Sequence, residues 1–367
     1  MNQKIVTVLA PCLVSAMALC ILPATARAAF IQTNLVSDVF GDAAVTDPNL
    51  LNPWGISFSA TSPLWVSDQA ANAATLYAST GVPNSRVVTV PGGPTGQVFN
   101  SAGTGNFLDS GAASSFIFAT LAGSIYAWNS GNGTAAQLEA TTPNASFTGL
   151  ALDNNGTGNF LYAANDTAGT GGIVVFNSSF AQVTPTGAFA DPTLPAGYVP
   201  YNIQTINGLL YVEYTNTANP RAVGSGVVSI FDANGNFIQE LIGPGGQLDD
   251  PWGIVIAPAS FGSFSNDLLV GNFGNGEINA FNPTTGAFLG VLNGPGGTPL
   301  VDPDLWALAV TPTNPNAVYF TAGINAQKDG LFGDIVATPE PSSLALAGLG
   351  CLALGLFSRR RRALPSK

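Results

Sequence analysis

The sequence predicts an all-β chain folded as a six-bladed β-propeller, flanked by an N-terminal signal peptide and a C-terminal single transmembrane helix. Three observations carry that expectation. A strand-like unit recurs six times, the residues between units are rich in Gly, Pro, Asn, Thr and Ser, and the interior has almost no stretch with helical period.

The recurring unit reads Leu64-Trp65-Val66-Ser67-Asp68, Phe116-Ile117-Phe118-Ala119-Thr120, Leu161-Tyr162-Ala163-Ala164-Asn165, Leu210-Tyr211-Val212-Glu213-Tyr214, Leu268-Leu269-Val270-Gly271-Asn272 and Val318-Tyr319-Phe320-Thr321-Ala322. Successive units start roughly 50 residues apart, the period of a propeller blade. Most lead through a Gly or Asn turn to a strand ending in an aromatic residue, at 123–128, 172–176, 226–231 and 276–281. Hairpin turns such as Asp232-Ala233-Asn234-Gly235 then lead to outer strands at 237–242 and 288–292. Inner strands are expected at 55–58, 97–100, 147–153, 201–206, 252–257 and 305–310. Residues 31–36 are expected to complete the last blade beside 331–336, which removes a free sheet edge.

The two ends carry targeting signals. Lys4, an apolar run over 5–22, Pro23 and then Ala26-Arg27-Ala28 form a secretory signal peptide with cleavage after Ala28. A lipoprotein signal at Cys20 is the lesser alternative, because Leu19 stands where that processing takes a small residue. At the other end come Pro339-Glu340-Pro341, an apolar stretch over 342–357 and the cluster Arg359, Arg360, Arg361 and Arg362. The prolines hold the tripeptide extended. The apolar stretch reaches about 24 Å as a helix, short of a hydrocarbon core of about 30 Å. The arginines stay cytoplasmic, so the large domain lies across the membrane. The chain therefore divides into 1–28, 29–337 and 338–367.

This C-terminal constellation resembles the PEP-CTERM sorting tail, which implies processing by an exosortase-type membrane enzyme. The blade unit resembles the NHL type. Gln32-Thr33-Asn34-Leu35-Val36-Ser37-Asp38, Asp47-Pro48-Asn49-Leu50 with Asn52-Pro53-Trp54-Gly55-Ile56, and Leu331-Phe332-Gly333-Asp334-Ile335 are together similar to an uncharacterised family of exported bacterial propellers that often carry such tails. That resemblance implies a fold and a route, and no activity.

Composition excludes several function classes. The interior holds only Arg86, Arg221 and Lys328 against 20 acidic residues, a net charge of −17, which repels nucleic acid. The three cysteines, Cys12, Cys20 and Cys351, all lie in the targeting segments, and the chain contains no histidine. Catalytic devices built on imidazole or thiolate are therefore absent, and no catalytic residue is assigned. Asp47, Asp250 and Asp302 lead into three similar inner strands, so their oxygen atoms are the candidate ligands for Ca²⁺, the only cofactor considered. The competing reading gives each Asp an Asx turn, with the Pro-Trp-Gly units packed between blades. Glu213 is read as a solvated strand residue, with catalysis the alternative. The leading expectation is a binding or structural component of the cell envelope or exopolysaccharide matrix, with a polysaccharide or envelope protein as partner. The alternative is a Ca²⁺-dependent propeller hydrolase or lactonase.

Overall fold

A computed structural model of the chain describes residues 29–338. Ala26, Ala28, Pro339, Glu340, Pro341, the 342–357 stretch and Arg359–Arg362 lie outside the described residues. Five four-stranded sheets and one five-stranded sheet form six blades, and a short hairpin joins Leu108–Asp109 to Ala112–Ala113. The inner strands are Pro53–Ser57, Pro94–Phe99, Phe147–Asn154, Tyr198–Ile206, Pro251–Ile256 and Leu305–Thr311, and we number blades 1 to 6 in that order. Each inner strand touches the next around the ring, and the sixth returns to the first. Among the described residues no helix is long and apolar enough to cross a membrane.

Closure brings together the two segments expected from the sequence, 31–36 and 331–336. Phe30–Ser37 pairs antiparallel with Leu331–Ala337, with Ile31 opposite Val336 and Ser37 opposite Leu331. Thr338 extends the pairing, its N–H and its hydroxyl both donating to the Ala29 carbonyl at 2.8 and 2.7 Å. Phe30 is buried against Phe261 and Phe264, with ring centroids 4.8 and 5.8 Å away, so the first strand also grips blade 5.

Strand alternation explains the seams between blades. In Leu209–Asn216, Leu210, Val212 and Tyr214 face the seam with blade 3, while Tyr211 faces blade 5. Burying each such side chain contributes about 1.5–3 kcal/mol. Polar side chains tie the seams as well. The Tyr162 hydroxyl donates to the Ala233 carbonyl at 2.6 Å, and the Tyr319 hydroxyl donates to the Ser79 carbonyl at 3.0 Å.

The Pro-Trp-Gly repeat read in three inner strands extends to a column of all six once the blades are superposed: Pro53-Trp54-Gly55, Pro94-Thr95-Gly96, Phe147-Thr148-Gly149, Pro200-Tyr201-Asn202, Pro251-Trp252-Gly253 and Leu305-Trp306-Ala307. A Cβ on Gly55 would lie 2.5 Å from the Thr95 carbonyl oxygen. One on Gly96 would lie 2.3 Å from the Leu150 nitrogen, and one on Gly253 would lie 2.4 Å from the Trp306 oxygen. These glycines let neighbouring inner strands approach backbone to backbone. Gly253→Ala is therefore expected to destabilise the protein by about 1–3 kcal/mol through overpacking. Gly172→Ala, where an added Cβ meets nothing within 4 Å, serves as the near-neutral control. Urea unfolding of the two variants checks this, and equal midpoints would refute the close-approach account.

Candidate functional site

The inner strands enclose a central channel whose two ends differ. At the end where these strands begin, Trp54, Trp252 and Trp306 turn inward instead of packing only between blades. Trp54 stacks on Trp306 at 3.4 Å, and Trp252 meets both edge-on at 6.0 and 5.7 Å. Phe273, Tyr201 and Leu121 pack against the cluster. The Trp252 indole N–H reaches across to the Thr148 carbonyl of blade 3 at 3.1 Å, and that of Trp306 donates to Asn52 at 3.1 Å. All six blades thus contribute to a plug that closes this end.

Beyond the plug lies a cavity of about 330 Å³, lined by all six inner strands. Trp252, Gly96, Leu150 and Ala307 lie toward the plug, while Phe58, Ser101, Leu152 and Thr205 lie further along the strands. No Asp, Glu, Lys or Arg lines it. The Gln97 amide donates to the Gly55 and Trp65 carbonyls at 2.7 and 2.9 Å, which leaves its Oε1 buried without a partner. The Ser57 hydroxyl is also buried and unpartnered. Thr205 donates to the Leu152 carbonyl at 3.0 Å, and Asn202 donates to the Trp252 carbonyl at 2.6 Å. Sequence reading missed this site, because its signal is a column position that emerges only once the blades are aligned.

The three acidic residues singled out in the sequence have separate engagements. Asp47 Oδ1 accepts the Asn49 N–H at 2.9 Å, an Asx turn, and its Oδ2 accepts the Tyr77 hydroxyl at 2.9 Å. Asp302 accepts Gln32 of the closing strand at 2.8 Å. Asp250 accepts the Thr215 hydroxyl and, at 2.8 Å, the Arg221 N–H. The Arg221 guanidinium pairs with Asp304 at 2.5 Å and lies over the Phe273 ring at 4.2 Å. Asp250 and Asp304 are thus joined through Arg221. Among the described residues no three His, Cys, Asp or Glu side chains gather as a metal cage.

Glu213 is not the solvated residue read from the sequence. It is 0% exposed, and both carboxyl oxygens lack a partner. It occupies a column that holds Ser67, Ala119, Ala164, Gly271 and Thr321 in the other blades, and it lies opposite Asn202, where most blades have Gly. Strand alternation accounts for its side but not for its depth, since an outward-facing residue of a blade still meets the next blade. Burial raises its carboxyl well above the usual range. Asp68 is raised in the same way, and Asp302 is pushed to about 6 by burial, against the bond from Gln32. Asp249 is pushed to about 6 by burial and by the charge of Asp250.

These groups keep protons in the folded state that the unfolded chain releases near pH 4, so their contribution to stability is full below that pH and is lost as pH rises through 6 and beyond. The melting temperature is expected to be higher at pH 5 than at pH 8, and Glu213→Gln is expected to narrow that gap. Differential scanning calorimetry at the two pH values measures both effects, and a higher melting point at pH 8 would contradict them.

The C-terminal residues 337–362 match the PEP-CTERM protein-sorting motif, which marks the chain for export and C-terminal processing at the membrane by an exosortase-type enzyme. Solved structures share the fold at low identity. A protein of unknown function from Bacteroides thetaiotaomicron superposes with a TM-score of 0.56 at 10% identity, covering 85% of this chain and 77% of that one. The calcium-binding protein regucalcin from Agrobacterium tumefaciens gives 0.51 at 15% identity, covering 78% and 90%. The uncharacterised protein L690 of Acanthamoeba polyphaga mimivirus is 28% identical over 341 residues, 86% of this chain and 87% of its own length. With 32% identity over 327 residues, 82% of this chain and 78% of its relative, the chain belongs to the family of the uncharacterised protein R648 of the same virus.

Proposed function

We propose that this protein is an exported binding module that its sorting tail delivers to the cell envelope or exopolysaccharide matrix, where the propeller holds a polysaccharide or an envelope protein. The observation that carries this reading is the concave, uncharged channel cavity in a chain that bears a sorting motif. Its hydroxyls, on Ser101 and Thr205, have no acid or base among the lining residues to activate them, which favours retention of a ligand over its conversion. In this reading signal peptidase cuts after Ala28, residues 342–357 hold the precursor in the membrane, Arg359–Arg362 stay cytoplasmic, and Pro339-Glu340-Pro341 is the processing motif. The propeller then comprises residues 29–337.

A Ca²⁺-dependent hydrolase is the second reading, and the likeness in fold to a calcium-binding protein favours it. Its proposed ligands Asp47, Asp250 and Asp302 already serve three different local partners. Calorimetric Ca²⁺ binding that Asp250→Ala abolishes would promote this reading over the first.

The exported protein is expected to be retained on a glycan array or by envelope fractions in a pull-down, and failure of both screens would remove the binding reading. Replacing Pro339, Glu340 and Pro341 by alanine is expected to leave the heavier, unprocessed form in the membrane fraction on an immunoblot. An unchanged mature size would argue against processing at this motif.

A further inference from the structure

We propose that the channel cavity is a blind pit that takes the terminal unit of a neutral polysaccharide, a proposal that rests on the binding reading above. Shape is the first ground. Trp54, Trp252 and Trp306 close one end of the channel, so a polymer cannot thread through it and only a chain end or a short branch can enter. The volume of about 330 Å³ lies at the lower end of small-molecule sites, enough for a single sugar unit with some accompanying water.

The chemistry of the walls is the second ground. The cavity is bounded by the free edges of six inner strands, and such edges present backbone N–H and C=O groups. Donors and acceptors of this kind suit hydroxyl groups, which both donate and accept. Among the described residues the half-buried Gln204 side chain of the wall makes no hydrogen bond within the protein, so its amide is available both to donate to and to accept from a ligand hydroxyl. The Trp252 ring at the inner end offers the apolar surface on which the C–H face of a sugar ring rests. Without any charged side chain in the lining, a carboxylated or sulfated unit would enter desolvated and unpaired.

Gln204 is the informative position: it is half-buried along the lining and makes no side-chain hydrogen bond among the described residues, so its amide can be removed without orphaning a partner. The ring over residues 29–338 contains its own closing strand and all six seams, and is suited to isolated study. It is titrated by calorimetry and by tryptophan emission with the linear neutral trimers cellotriose, maltotriose and N,N′,N″-triacetylchitotriose, with trigalacturonic acid, and with β-cyclodextrin, which has no chain end.

At least one linear neutral trimer is expected to bind and to change tryptophan emission. Gln204→Ala is expected to weaken it about five- to tenfold, the worth of one hydrogen bond. Gln204→Trp, which fills the cavity, is expected to abolish binding while the melting temperature stays within a few degrees of the parent. Trigalacturonic acid and β-cyclodextrin are expected to bind far more weakly. Equal binding of β-cyclodextrin or trigalacturonic acid overturns the pit, as does trimer binding indifferent to both substitutions. If the glycan array retains the protein while no trimer binds up to about 10 mM, the pit fails and the broader binding reading stands.

Discussion

The pairing of Phe30–Ser37 with Leu331–Ala337 is the contact on which the rest of this fold depends. In a ring of blades each sheet touches only its neighbours, so stability is close to a sum of seams, and an unclosed ring lacks one. Joining the ends of a chain of some 300 residues costs about 5 kcal/mol in loop-closure entropy, and the closing strand must offset it. It does so with an antiparallel ladder from Phe30 to Ser37, interrupted by a bulge at Leu35, and with Phe30 wedged between blades 5 and 6. The same pairing bonds Thr338 to Ala29, so the first and last described residues meet at one sheet position.

Closing six sheets into a ring also dictates the channel. Inner strands that approach one another backbone to backbone leave no room for a Cβ at the contact, which accounts for Gly55, Gly96, Gly149 and Gly253. A channel this narrow is closed at one end by three indoles and their aromatic neighbours. Blade 4 departs from the rule, placing Asn202 where most blades have Gly and Glu213 where they have a small residue. Asn202 recovers its cost by donating to the Trp252 carbonyl, whereas burial of Glu213 raises its carboxyl well above the usual range and so favours the protonated form.

The propeller was legible because its determinants are local. Period-two strands, Gly and Asn turns and a blade-length repeat each leave a mark within a few residues, and outer strands such as Phe237–Ile242 fall where the sequence places them. The starts of two inner strands were less legible: those of blades 2 and 4 lie at Pro94 and Tyr198, three residues before the expected 97 and 201, because each opens around a proline, which reads as a strand breaker. Glu213 was misread for a related reason. Alternation along one strand gives its side, but exposure on that side is decided by the neighbouring blade, which lies some 40 residues further along the sequence. The cavity was hidden for a stronger version of the same reason, since no two of its walls are adjacent in sequence.

Charge and cavity are distributed in opposite ways, and the contrast bears on what can reach the channel. A net −17 over the propeller region sits on loops, seams and outer turns, while the cavity wall carries no charge at all. An acidic exterior raises the free energy of any polyanion that approaches, although at physiological salt that field decays over about 8 Å. At the mouth of the cavity the repulsion is therefore short-ranged, and the neutral wall takes over the discrimination by offering an ion nothing in exchange for its hydration. A neutral polymer meets neither barrier. In the binding proposed above, closure at the tryptophan end would then limit how far it can advance, so that outer charge, neutral wall and aromatic plug would act in sequence on an incoming chain; the wall and the plug both follow from the way six blades close around a narrow axis.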